Sequence, residues 1–79
     1  MKTKELFEEI QEIFRDELDN DSIVLKPDTT AEDIEEWDSL ANVQIMAAIE
    51  TAYNIKFTAY EMTSWIDVDE MIECIQTKL

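Results

Sequence analysis

The sequence predicts an all-α fold with three longer helices, one short helix and a long first loop. Three observations favour it. Apolar residues recur at intervals of three and four, no segment alternates well enough to form a strand, and the chain has no glycine and one proline. At 79 residues the chain is long enough for one thin core, so we expect a single domain over residues 1–79.

The first helix is expected over residues 4–18, with Thr3 as its N-cap. Acids occupy one face, and the other carries apolar residues at helical spacing, namely Leu6, Phe7, Ile10, Ile13, Phe14 and Leu18. A loop over residues 19–38 follows, and loops of that length are usually functional. We expect Ile23 and Leu25 to attach it to the core.

The second helix is expected over residues 39–53, with Asp38 or Ser39 as its N-cap. Apolar residues recur every three or four positions along the helix. These are Leu40, Val43, Met46, Ile49 and Tyr53. By periodicity, Val43, Met46 and Ile49 are expected to be core residues.

Two capping signals predict the remaining helices. Thr58 and Glu61 form a capping box that begins a short helix over residues 58–63. Asp67 with Glu70 begins the last helix, over residues 67–78. Its inward positions are expected to be Val68, Met71, Ile72, Ile75 and Leu79.

The charge balance excludes several function classes. Twenty acids, six bases and no histidine give a net charge of −14, which argues against binding nucleic acid or an anionic membrane surface. One cysteine without histidine excludes an intrachain disulfide, a Cys/His zinc site and a histidine-based triad, so no metal site is expected. With no membrane-spanning stretch and no signal-peptide core near Met1, we expect a cytoplasmic protein.

The most informative stretch is Trp37-Asp38-Ser39-Leu40. Its serine stands at a helix start after an acidic loop, and without a nearby base its hydroxyl is a weak nucleophile. It is better placed to be modified by another protein, because a helix N-terminus favours a phosphodiester. A plain N-cap serine has the same local signature.

In this register the stretch resembles the phosphopantetheine attachment site of acyl carrier proteins. The family pattern is Asp-Ser-Leu followed by an apolar helix that ends in a glutamate and an aromatic residue, here Glu50 and Tyr53. The segment from Asn54 to Phe57 is similar to the family's connection between helices two and three. The resemblance covers essentially the whole chain and implies the family's four-helix bundle.

The resemblance implies a carrier that catalyses nothing. Ser39 would hold a 4′-phosphopantetheine arm derived from coenzyme A, whose thiol carries an acyl or aminoacyl group as a thioester. Asp38 would help a phosphopantetheinyl transferase to engage the serine, and Leu40 would lie partly exposed beside the arm. Leu40, Ala47 and Glu50 would contact partners, which include that transferase, an acyl- or aminoacyl-loading ligase and downstream acyltransfer enzymes. A possible acyl pocket would involve Val43, Met46, Tyr60, Met62 and Trp65.

The second helix departs from the family's fatty-acid carriers, which carry several acids there. The matching positions hold Ala41, Gln44 and Thr51, and only Glu50 is acidic. This difference favours a dedicated carrier for one pathway over the housekeeping fatty-acid carrier.

Other interpretations remain open at this point. A small acidic helical adaptor that binds a basic partner without a prosthetic group fits the charge and helix count equally well. A hydrolase that uses Ser39 is disfavoured because no base lies near it. Trp37 is expected to be a hydrophobic anchor, Met62 a packing residue and Cys74 a buried structural cysteine. The apolar faces suffice for one core, so a monomer is expected.

Overall fold

A computed structural model describes residues 3–79 and contains four α-helices joined by a long first loop and two short connections. The helices are α1 (Thr3–Leu18), α2 (Ser39–Tyr53), α3 (Ala59–Ser64) and α4 (Val68–Lys78), and one 3₁₀ turn (Ala31–Asp33) lies in the first loop. No strand occurs in this part of the chain, so the all-α prediction is confirmed. None of the helices in residues 3–79 is both long and apolar enough to cross a bilayer.

The helix boundaries follow local capping signals. Asp38 caps α2 by accepting a hydrogen bond from the Ala41 amide at 2.8 Å, and Asp67 caps α4 by accepting one from the Glu70 amide at 3.1 Å. α3 begins with the capping box that the sequence predicts. The prediction for Thr3 was wrong, because α1 begins at this residue and its N-cap position falls outside the described residues.

α1 and α2 are each followed by a residue in the left-handed backbone region. Asp19 follows α1 with φ of 50°, and Asn54 follows α2 with φ of 54°. Asparagine and aspartate adopt this conformation more readily than other residues with a side chain. In a chain without glycine, they let the backbone reverse direction at both places.

The core lies between α1, α2, α4 and the first loop. Each of the three longer helices contributes fully buried side chains, and the loops add Ile23, Leu25, Ile34, Ile55 and Phe57. The buried helical residues are Leu6, Ile10, Phe14, Ala41, Ile45, Met46, Ile49, Val68, Met71, Ile72 and Ile75. α3 contributes no buried residue.

The buried face of α2 differs from the predicted one. Met46 and Ile49 are buried as expected, but Val43 is 58% exposed. The prediction that Val43 faces the core was therefore wrong. α2 has apolar residues on nearly every side, so their spacing does not reveal which side meets the core. Leu79 was also placed inward incorrectly, since it lies beyond the end of α4 and is 49% exposed.

The first loop is fixed to two helices by hydrogen bonds. From α1, Arg15 Nε donates to the Ile23 carbonyl at 2.8 Å, and Gln11 Oε1 accepts from the Leu25 amide at 2.9 Å. The first-turn amides of α4 at Val68 and Asp69 donate to loop carbonyls at 2.9 and 3.0 Å. The loop thus satisfies amides that have no partner within α4.

We expect Ile45→Ala to lower the free energy of unfolding by about 2–5 kcal/mol, because it leaves a cavity in the core. Val43→Ala, two residues away in the same helix, should change it by less than about 0.5 kcal/mol because that side chain is exposed. Urea unfolding followed by circular dichroism measures both values. A loss in Val43→Ala that equals or exceeds the loss in Ile45→Ala would contradict this packing of α2.

Candidate functional site

Ser39 is exposed at the first position of α2. The preceding residue, Asp38, uses its side chain to cap the Ala41 amide and its carbonyl to accept from the Asn42 amide at 2.8 Å. The amides of Ser39 and Leu40 stand in the first helical turn, where N–H groups have no intrahelical partner. The hydroxyl therefore lies at the positive end of a helix of 15 residues, a position that suits an anionic group.

Trp37 fixes the chain immediately before this serine. Its ring packs edge-on against Phe14 of α1, with ring centroids 4.8 Å apart. Its amide donates to the Ile34 carbonyl at 3.1 Å, and its indole N–H donates to Asn42 Oδ1 at 2.9 Å. These contacts agree with the expectation that Trp37 anchors the start of the helix.

An open cavity of about 460 Å³ lies beside Ser39, between the starts of α2 and α4 and the end of α3. Of the residues predicted for an acyl pocket, Met62 and Trp65 line it. Val43, Met46 and Tyr60 are not among its lining residues. Asn42, Ile66 and Met71 also line the cavity and were not predicted for the pocket.

α3 forms one wall of the cavity and is held by contacts at its edges. Trp65, the residue after it, packs edge-on against Phe57 with centroids 5.4 Å apart. Glu61 Oε1 lies 3.0 Å from Lys78 Nζ of α4, and Glu61 Oε2 accepts from the Cys74 thiol at 3.5 Å. The hydrogen bond from the Thr58 backbone and the nearby Lys78 ammonium lower the pKa of Glu61 from 4.5 to about 2.

Cys74 is half-buried rather than fully buried. Burial, together with the neighbouring carboxylate of Glu61, raises the pKa of its thiol. The group is therefore kept in its protonated, unreactive form.

Asn42 is a site residue that the sequence analysis missed. Its Oδ1 accepts from the indole of Trp37, and its Nδ2 donates to the Met62 carbonyl of α3 at 3.4 Å. The side chain thus joins the loop before the serine to the helix across the cavity. Trp37 precedes the helix and Met62 belongs to another one, so no sequence spacing signals these contacts.

The residues predicted to contact partners differ in their surroundings. Leu40 and Ala47 are exposed on α2, where Val43 lies between them on the same face. Glu50 is half-buried, and its Oε2 accepts a hydrogen bond from the Phe57 amide at 2.7 Å. The one acid of α2 therefore attaches the helix to the segment that follows it.

Within residues 3–79, no three histidine, cysteine or carboxylate side chains come together as a metal site requires. The acids of the first loop lie along the protein surface.

Comparisons with known proteins agree with these features. A family model described as "Phosphopantetheine attachment site" matches residues 8–75, which include Ser39. The fold is similar to the solution NMR structure of a holo acyl carrier protein from Geobacter metallireducens, with a TM-score of 0.86 and 34% sequence identity. That match covers 92% of this chain and 84% of the other. A comparison with curated protein sequences gave no significant match.

We expect Glu61→Gln to lower the thermal stability of the protein at neutral pH. The difference from wild type should disappear in acid. Because the folded state lowers the pKa of Glu61, the charged carboxylate stabilises the fold fully above about pH 4.5, and this contribution disappears as the pH falls to about 2. Thermal unfolding of both proteins over this pH range measures the difference. Glu73→Gln, which removes an exposed carboxylate of α4, is the control. A wild-type advantage that stays constant down to pH 2 would contradict the role of the Glu61 charge.

Proposed function

Because this chain belongs to the phosphopantetheine attachment site family and is an acyl carrier rather than an enzyme, we propose that Ser39 holds its covalently bound 4′-phosphopantetheine. The observation that carries the proposal is the position of this serine among the three in the chain. Ser22 lies in the acidic first loop, and Ser64 ends α3 with its hydroxyl bonded to the Glu61 carbonyl at 3.2 Å. Ser39 alone is exposed at a helix N-terminus.

The residues around Ser39 fit a phosphodiester at this position. The amides of the first turn of α2 and the helix dipole favour its negative charge, which offsets repulsion from the acidic protein. Asp38 keeps that turn in place through its cap, and so orients the hydroxyl toward solvent. The prosthetic group supplies a flexible arm whose thiol carries the acyl group as a thioester. The chain's own residues present, orient and shelter it.

We propose that the cavity beside Ser39 shelters the carried group. Its volume of about 460 Å³ falls in the range of small-molecule sites. Met62, Trp65, Ile66 and Met71 give it an apolar lining, which suits an acyl chain better than a charged cargo. The pocket therefore involves the end of α3 and the start of α4 instead of the exposed Val43 and Tyr60.

We propose the exposed face of α2 as the docking surface for partner enzymes. Leu40, Val43 and Ala47 follow one another at the spacing of a helical face that inserts into a groove. The exposed residues of α2 include no charged side chain, because Glu50 is half-buried and bonded to Phe57. The transferase, the loading ligase and the downstream acyltransfer enzymes would meet this face through apolar contacts. Acids of the first loop would steer the encounter from outside it.

The same charge-free face supports a dedicated carrier for one pathway, because partners with apolar docking surfaces would select this chain over carriers with an acidic second helix. We further propose that residues 1–79 form a single carrier domain that works as a monomer in the cytoplasm.

Incubation with coenzyme A and a broad-specificity phosphopantetheinyl transferase should add one phosphopantetheine to the wild-type chain. Ser39→Ala should abolish the gain, because it removes the only serine hydroxyl at a helix N-terminus, while Ser22→Ala and Ser64→Ala should keep it. Intact mass spectrometry measures all four proteins, with circular dichroism to confirm that each is folded. A gain in Ser39→Ala would move the attachment site elsewhere. No gain in any of them, with the transferase active on a known carrier, would favour the acidic adaptor.

The docking surface is tested by two matched valines. Val43 on α2 and Val24 in the first loop are 58% and 59% exposed, so replacing either by alanine removes the same exposed apolar group. Val43→Ala should lower the kcat/KM of the transferase for this chain by about fivefold, the effect of losing roughly 1 kcal/mol of contact, whereas Val24→Ala should leave it unchanged. Equal rates for the two variants would place docking on another surface.

A further inference from the structure

We propose that Asn42 is a positioning residue that holds α3 against the start of α2 and thereby closes one wall of the cavity beside Ser39. The inference deepens the proposed sheltering function of that cavity and rests on it. Asn42 would act on the carried group through α3 and not by direct reaction with it.

The chemistry of its two partners fixes how the Asn42 amide is oriented. The indole nitrogen of Trp37 only donates and the carbonyl of Met62 only accepts. Asn42 Oδ1 must therefore face the indole, at 2.9 Å, and Nδ2 must face the carbonyl, at 3.4 Å. A side chain with an acceptor and a donor on the same carbon, as in asparagine, can join the indole to the carbonyl.

The Met62 carbonyl needs a partner of this kind. α3 has six residues and ends at Ser64, so this carbonyl is among the last four of the helix and has no intrahelical partner. Asn42 supplies a hydrogen bond there from a different helix. The contact therefore replaces one that a longer helix would make within itself.

α3 depends on such contacts more than the other helices do. None of its side chains is fully buried and only Met62 packs against the core, so the hydrophobic core holds it weakly. On the α4 side it is attached by the ion pair between Glu61 and Lys78, and on the α2 side by the hydrogen bond from Asn42. If the second contact breaks while the first remains, α3 can move away from α2 about its attachment to α4.

That movement would change the cavity. Trp37, Asn42 and Met62 all border it, so the two hydrogen bonds run along its wall. With both bonds made, the cavity has a volume of about 460 Å³ and a bulky carried group must displace α3 to enter. Asn42 thus affects which groups are sheltered and how readily they are released.

Two substitutions distinguish the two hydrogen bonds that Asn42 makes. Asn42→Asp keeps an oxygen for the indole but loses the donor for the Met62 carbonyl, and Asn42→Ala loses both. Gln44→Ala, at an exposed position of the same helix, is the control. Circular dichroism establishes that each variant is folded.

The first measurement uses the chain before any arm is attached. In both Asn42 variants, amide hydrogen exchange in α3 should be faster by about fivefold, the effect of one net hydrogen bond, with α1 unchanged. The Trp37 indole proton, followed by NMR, should remain protected from solvent in Asn42→Asp and lose protection in Asn42→Ala. Exchange in α3 equal to that of wild type and Gln44→Ala would overturn the proposal. Since this test needs no attachment, it is independent of whether Ser39 is the modified residue.

The second measurement tests sheltering in the loaded chain. Cleavage of a medium-length acyl thioester by hydroxylamine should be faster in both Asn42 variants than in wild type and Gln44→Ala. Faster exchange in α3 with unchanged cleavage would overturn the role of Asn42 in sheltering, while leaving the attachment at Ser39 intact.

Discussion

The position of Ser39, the proposed attachment site, depends on the packing of Trp37 against Phe14. The tryptophan ring meets the core of α1 edge-on, and this contact fixes where the first loop ends and α2 begins. Asp38 then caps the helix, which places Ser39 at its exposed first position. The same indole reaches Asn42, and through it α3. One aromatic contact thus orients both the proposed attachment point and one wall of the neighbouring cavity.

The distribution of charge separates the proposed docking face of α2 from the rest of the surface. The outer face of α1 and the first loop carry most of the acids, and residues 3–79 contain two ion pairs to offset them, Arg15 with Glu12 and Lys78 with Glu61. α2 exposes its positive N-terminus and uncharged side chains. A carrier that must meet several enzymes at one serine gains from this arrangement. Acids elsewhere keep the chain from associating with itself, while the face that partners must cover costs little to desolvate.

Local signals predicted the parts of the fold that depend on neighbouring residues. The helix starts were predicted to within one residue, since Asp38, Thr58 and Asp67 bond to amides only three residues away. The buried face of α2 was not predicted correctly. Because α2 is apolar on nearly every side, its sequence does not distinguish the buried side, and Val43 was wrongly assigned to the core.

The residues of the candidate site differ in the same way, because some have a local sequence signal and others have contacts that form only in the folded chain. The sequence predicts Ser39 as the attachment site through a contiguous motif, and this assignment stays a proposal. The sequence analysis missed Asn42, whose partners come together only when α2, α3 and the end of the loop have packed. Glu50 was predicted as a partner contact because the sequence shows an acid there. Its hydrogen bond with the Phe57 amide could not be predicted, because it forms only when the chain after α2 folds back onto the helix.

The weakest element of the fold lies where the function needs a change of shape. A carrier must keep its cargo from water in transit and yield it to each enzyme, so one wall of the cavity has to be both formed and displaceable. A helix with a buried apolar face would resist this, because exposing even one large side chain costs about 1.5–3 kcal/mol. α3 fully buries none: Met62 alone packs against the core, half-buried, and the other attachments are polar contacts at its two edges, each of which water or a partner can replace. This shallow attachment would make release possible without unfolding the three helices that position Ser39.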